Sequence, residues 1–232
     1  MRRTTIPALA SALALVAALG VSAPAAAASA EPAYPNVIAR EKVDVDGDGV
    51  KDAVTVTQPK RLRYTIEVKT AAGERSSVTV RGNVYERYRV SPVKWAAKMD
   101  GVKGYELIVE LFERATIVRY YVLTWRDGEL VKQMAPHPRP EWDKYLWRVG
   151  GALTDSFPVT RGYKFYTSND NIYIVSYKAV KNGDAYGLVT AKSSWSSARN
   201  EWVRYWVMDS DISKAQADRH PQIFEGAKIK LG

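Results

Sequence analysis

The sequence predicts an all-β protein made of short antiparallel β repeats that resemble propeller blades. Three observations point there. Apolar and polar residues alternate over most of the chain after residue 50, the period of a half-buried strand. Val, Ile, Thr, Tyr and Trp dominate those stretches. Turns containing Gly, Asn or Asp punctuate them, as at Ala71-Ala72-Gly73-Glu74 and Asn182-Gly183-Asp184.

The first 30 residues are set apart. Met1-Arg2-Arg3 is a basic start, Ala8 to Val21 is apolar, and Ala28-Ser29-Ala30 supplies small residues before Glu31. This is the three-part pattern of a secretory signal peptide, with cleavage expected after Ala30. The apolar run is about 14 residues, short of the roughly 20 that span a bilayer. The expectation is a secreted, extracellular protein that is not held in a membrane. The chain has no cysteine. A lipid anchor on cysteine and disulfides are thereby excluded, so stability must come from the core, from hydrogen bonds or from a bound ion. Residues 31–232 form a single expected domain. The formal net charge of the chain is +9. That excess favours an anionic partner, but no lysine–arginine cluster is dense enough to predict nucleic-acid binding.

After a Pro-containing segment at 31–40 comes Asp44-Val45-Asp46-Gly47-Asp48-Gly49-Val50-Lys51-Asp52. Val54 and Val56 then alternate with Thr55 and Thr57. Tyr64 to Lys69 and Ser77 to Val80 flank a turn and predict a hairpin. Tyr85, Tyr88 and Val90 suit a strand, and Val93 to Met99 a turn or short helix. Lys98-Met99-Asp100-Gly101-Val102-Lys103-Gly104-Tyr105-Glu106 then repeats the loop, and Leu107 to Leu111 repeats the strand, 54 residues on. Ile117 to Thr124 turns through Arg126-Asp127-Gly128-Glu129 into Leu130-Val131. Pro136-His137-Pro138-Arg139-Pro140 breaks regular structure. Tyr163 to Tyr166, Ile172 to Tyr177, Tyr186 to Ala191 and Trp202 to Met208 predict further strands, with a turn at Ser196 to Asn200. Asp209 to Arg219 predicts one helix, capped by Ser210 or Asp211. Recurrence of loop, strand and hairpin in the same order predicts stacked units, roughly 43–83 and 97–135, with 150–210 as a candidate third.

Aspartates two apart in a tight turn can converge on a hard cation. Calcium takes six to eight oxygens, whereas magnesium demands a stricter octahedron. An EF-hand or dockerin loop would carry an acidic residue at position 12 and continue as a helix. Here position 12 is Thr55, inside a β-type run. Asp44, Asp46, Asp48, Gly49 and Asp52, followed by Ala53-Val54-Thr55-Val56, instead resemble the Asp-x-Asp-x-Asp-Gly-x-x-Asp loop of FG-GAP/VCBS-type repeats, as in the integrin α-subunit propeller. The resemblance implies one structural calcium ion held by Asp44, Asp46, Asp48, the Val50 carbonyl and Asp52. In the second copy Lys98 and Val102 replace two of the aspartates, which implies a unit without its ion. Two or three such units are fewer than the four to eight blades of an ordinary propeller.

No nucleophile elbow or phosphate loop is present, and no catalytic residue is assigned. The two histidines, His137 and His220, adjoin prolines in separate segments. Glu106, Glu110 and Glu113 are the carboxylates from which a hydrolase of glycan or cell wall could be built. Ion pairing is the commoner use of such residues on a strand. The favoured expectation is a secreted, non-catalytic β-repeat protein that binds an extracellular protein or glycan. Its tryptophans concentrate in the second half, with Trp142 and Trp195 expected at the surface.

Overall fold

The computed structural model describes residues 37–82, 91–114, 116–169, 171–219, 224–225 and 228–230. The signal segment, the 83–90 stretch and His220 lie outside them. Among the described residues the protein is all-β, with antiparallel sheets and one helical turn.

The first sheet runs in chain order: β1 (Ala39–Val43), β2 (Asp52–Lys60), β3 (Arg63–Lys69) and β4 (Arg75–Arg81). Alternation decides its faces. Tyr64, Ile66 and Val68 of β3 are buried, while Thr65 and Glu67 stand on the opposite, more open face.

The second sheet is larger. It is built from β5 (Val93–Lys98), β6 (Glu106–Arg114), β7 (Ile117–Arg126), β8 (Glu129–Lys132), β9 (Trp147–Gly151), β10 (Val159–Ser168), β11 (Asn171–Asn182), β12 (Ala185–Ser196), β13 (Glu201–Ile212), β14 (Phe224–Glu225) and β15 (Lys228–Lys230). Its order is β13-β12-β11-β10-β9-β7-β6-β5-β15, with β8 on β7 and β14 parallel to β10. Neither sheet closes into a ring among the described residues.

β6 is buried on both faces, which accounts for its continuous apolar run Leu107-Ile108-Val109. Leu107, Val109 and Leu111 enter a core with Val54, Val56, Ile66 and Trp125, where the first sheet packs on the second. Ile108 enters another core with Trp147, Tyr163, Phe165, Ile174 and Phe224. The large sheet therefore curls, so that β10 and β11 share a core with β6 and β7. The corner lies at β9, which pairs with β10 through only Gly150 and Gly151. Both glycines have positive φ, +94° and +131°. A Cβ on either would fall inside van der Waals contact with the carbonyl oxygens of Thr116 or Val159.

Three local expectations are corrected. Val93–Lys98 is a strand, not a turn or helix; it pairs with β6 and hides Ala96 and Ala97. The helix is one turn, Lys214–Ala217, capped by Ser213 through a capping box with Gln216. Pairing with β12 carries β13 through to Ile212 and claims Ser210 and Asp211 for the sheet. Trp195 lies in β12, not in a turn, and packs edge-on against Trp202 at 5.4 Å. Trp142 is 79% exposed, as its Pro-rich setting predicts. Strand length also departs from expectation in the last third, where β11, β12 and β13 have 12 residues each.

Substituting Gly151→Ala should destabilise the protein by about 2–4 kcal/mol, the sum of left-handed backbone strain and overpacking. Gly183, also at positive φ but with open space around it, should lose only about 1–2 kcal/mol as Gly183→Ala. Urea denaturation of the two variants checks the difference.

Candidate metal centre

The loop between β1 and β2 is shaped by its own aspartates. The N–H of Gly47 donates to Asp44 Oδ1 at 2.8 Å, that of Asp48 to Asp46 Oδ1 at 3.1 Å, and that of Val50 to Asp48 Oδ1 at 2.6 Å. These side chain-to-backbone turns are favourable for Asp. They bend the loop so that one carboxylate oxygen from each of Asp44, Asp46 and Asp48 lies within 4.8 Å of the others. Oxygens bound to one calcium at about 2.4 Å can be at most about 4.8 Å apart, so the trio has the right convergence and the right hard-donor chemistry. Burial of Asp46, with the charges of Asp52, Asp48 and Asp44 nearby, pushes its carboxyl above the ordinary range, against the Asp48 N–H bond that lowers it. The site is thus short of positive charge.

Asp52 stands apart from the trio. It is only 1% exposed. Its Oδ2 accepts the N–H of Val45 at 2.7 Å and its Oδ1 that of Ala71 at 2.9 Å. It ties the start of the loop and the β3–β4 turn to the first residue of β2. A carboxylate has about four acceptor sites, so these two bonds leave it able to ligate as well. Val50 is exposed at the loop's outer end.

The second copy reproduces the frame. Met99 N–H donates to Glu106 Oε2 at 2.7 Å, as Val45 does to Asp52. Val102 N–H donates to Asp100 Oδ1 at 2.8 Å, as Asp48 does to Asp46. Gly47 and Gly101 share φ near +80°, at +80° and +82°. The two loops also abut. Tyr105 N–H donates to the Asp44 carbonyl at 2.9 Å. A Cβ on Gly47 would strike Lys103, and one on Gly104 would strike the Val45 carbonyl.

What differs is the counter-charge. Arg126 of β7 binds Asp100 and lies 3.7 Å from Glu106. Gln133 Nε2 donates to Asp100 at 2.7 Å, and Thr124 reaches Glu106 at 3.4 Å. A guanidinium serves Asp100 and Glu106 in this loop, whereas among the described residues no ion pair meets Asp44, Asp46 or Asp48. Sequence spacing could not reveal Arg126, which lies 26 residues from Asp100. Burial and the adjacent Asp100 charge hold the Glu106 carboxyl well above the ordinary range.

The other candidate carboxylates are engaged as ion pairs. Glu106 is 1% exposed, and Glu110 lies 3.9 Å from Lys94. The Glu113 side chain is outside the described set. His137 is held by burial at a pKa of about 4 and is neutral at pH 7. It sits near Glu141, which Arg148 and Arg161 bind from the neighbouring strands. Comparison with family models, with curated proteins and with solved structures gives no match.

The Glu106 carboxyl binds its proton more tightly in the folded than in the unfolded chain. Its contribution to stability is present below the unfolded value near 4.5 and is lost as pH rises through the folded one. Glu106→Gln keeps an acceptor for Met99. The variant should therefore gain stability relative to wild type progressively as pH rises above 4.5. Parallel stability–pH curves from urea melts would contradict this.

Proposed function

We propose that the protein is a secreted, non-catalytic β-repeat module whose first loop holds one structural calcium ion, in the manner of an FG-GAP/VCBS-type repeat. The convergence of Asp44, Asp46 and Asp48 without a protein cation supports it. The sister loop supports it by contrast, because there the same frame carries an arginine. Asp44, Asp46 and Asp48 are the core ligands, with Asp52 and the Val50 carbonyl completing the set. The ion would offset the repulsion among these carboxylates and fix the loop against Lys103 and Gly104. Its role is mechanical: the chain after Asp52 enters a strand, so no pair of helices is available to reorient on binding.

The rest of the molecule is the binding part of this reading. The partner is an extracellular protein or glycan, and the net charge of +9 favours an anionic one. A carboxylate-dependent hydrolase is the competing reading. The burial and pairing of Glu106 and Glu110 weigh against it.

Calorimetry with calcium should show one site on the wild-type protein and none on Asp46→Ala. Calcium at about 100 times its dissociation constant should stabilise the wild type by about 2.7 kcal/mol, seen as a higher melting temperature. An equal response from both proteins would end the assignment.

A further inference from the structure

A cleft of about 280 Å³ opens between the second loop and the β10–β11 hairpin. It is lined by Lys98, Gly101, Lys103, Phe165, Tyr166 and Ile172, among others. None of its described lining residues is acidic. Lys98 and Lys103 are exposed, and neither has a carboxylate partner among the described residues; Lys98 lies over the Tyr105 ring at 5.0 Å.

Tyr166 extends the cleft into a row of rings. It faces Tyr173 across the β10–β11 ladder, and the rings stack at 5.4 Å and 17°. Tyr205 follows at 6.3 Å from Tyr173. It occupies the bulge of β13, where Lys192 and Ser193 face Trp206 and Arg204. A bulge re-aims a side chain, and here the Tyr205 hydroxyl meets Ser194 Oγ at 2.5 Å while the ring stays 59% exposed. Lys192 Nζ sits 4.4 Å from the Tyr173 ring centre and 5.2 Å from that of Tyr166. Three lysines and three tyrosines thus form one continuous surface.

We infer that this surface is a binding site for an anionic sugar chain, with sugar rings lying on the tyrosines and carboxylates meeting Lys98, Lys103 and Lys192. Tyrosine offers an apolar face and a polar edge, which suits a ring with both C–H and O–H groups. Ammonium groups bind carboxylates through charge-assisted hydrogen bonds. The cleft volume is near the lower end of small-ligand pockets, roughly 300–1,000 Å³, and it is open towards the tyrosine row, as a chain would need. Its described lining holds no histidine or carboxylate, so the chemistry is recognition without cleavage. Single-stranded nucleic acid fits less well. Its bases stack on successive aromatic platforms along a basic groove, whereas these rings touch one another and form a single platform.

The inference rests on the reading of the protein as a binding module, but not on the calcium loop. The test is calorimetric titration of the full chain with tetragalacturonate in calcium-free buffer. Saturable binding is expected, weakened about tenfold by methyl-esterifying the sugar acids. Tyr166→Ala and Lys103→Ala should each weaken it about tenfold, and Lys60→Ala should leave it unchanged. Lys103 is an exposed loop residue, so its variant decides the matter if Tyr166→Ala folds poorly. Absence of binding, equal binding of the methyl ester, or equal effects of Lys60→Ala and Lys103→Ala would overturn the site. Tighter binding of an oligothymidylate would overturn it in favour of nucleic acid. Unchanged affinity in Asp46→Ala would show the cleft standing apart from the calcium loop. Shortening of the tetragalacturonate would overturn the binding-module reading instead.

Discussion

A carboxylate taken out of water costs several kcal/mol unless donors or a cation meet it. Asp52 and Glu106 both face that constraint at the start of a central strand. Each answers with the backbone N–H seven residues upstream, at 2.7 Å in both cases. That bond fixes where the loop begins and where the strand enters the core. Asp52 also takes the Ala71 N–H, which ties two turns of the first sheet together. With the strand starts fixed, Val54 and Val56 on one sheet and Leu107 and Val109 on the other meet in a single core. Loss of either carboxylate would leave a buried N–H unsatisfied and would free the register of the strand behind it.

The remaining charge is handled in two ways. In the second loop Arg126, Gln133 and Thr124 close over Asp100 and Glu106. In the first loop the three outer carboxylates converge with only backbone N–H groups against them. One backbone frame therefore carries a protein cation in one copy and a cation-shaped vacancy of charge in the other. The contrast is informative because the frame is shared: the difference lies in side chains and not in the course of the chain.

Much of this was legible in the sequence. The loop, its repeat after 54 residues and the strand after each copy follow from aspartate spacing and alternation. What escaped was non-local. Arg126 reaches the second loop from β7, and the Tyr166–Tyr173–Tyr205 row exists only once three strand registers are set. Val93–Lys98 misleads because Lys94, Ala96 and Ala97 blur the period, and β6 supplies the missing information by pairing with it. Ser210 and Asp211 read as helix caps, yet a long hairpin partner holds them extended. In each case tertiary pairing overrides a weak local preference.

The close approach of the two loops limits how the repeat can grow. Gly47 faces Lys103, Gly104 faces Val45, and Tyr105 donates to Asp44. Each copy uses the same backbone surface to receive the other. A solenoid or propeller grows because every unit offers one side to its predecessor and a different side to its successor. Here the two sides are the same, and the pair is saturated. The duplication is self-terminating, which leaves the last third of the chain to develop long hairpins of another design.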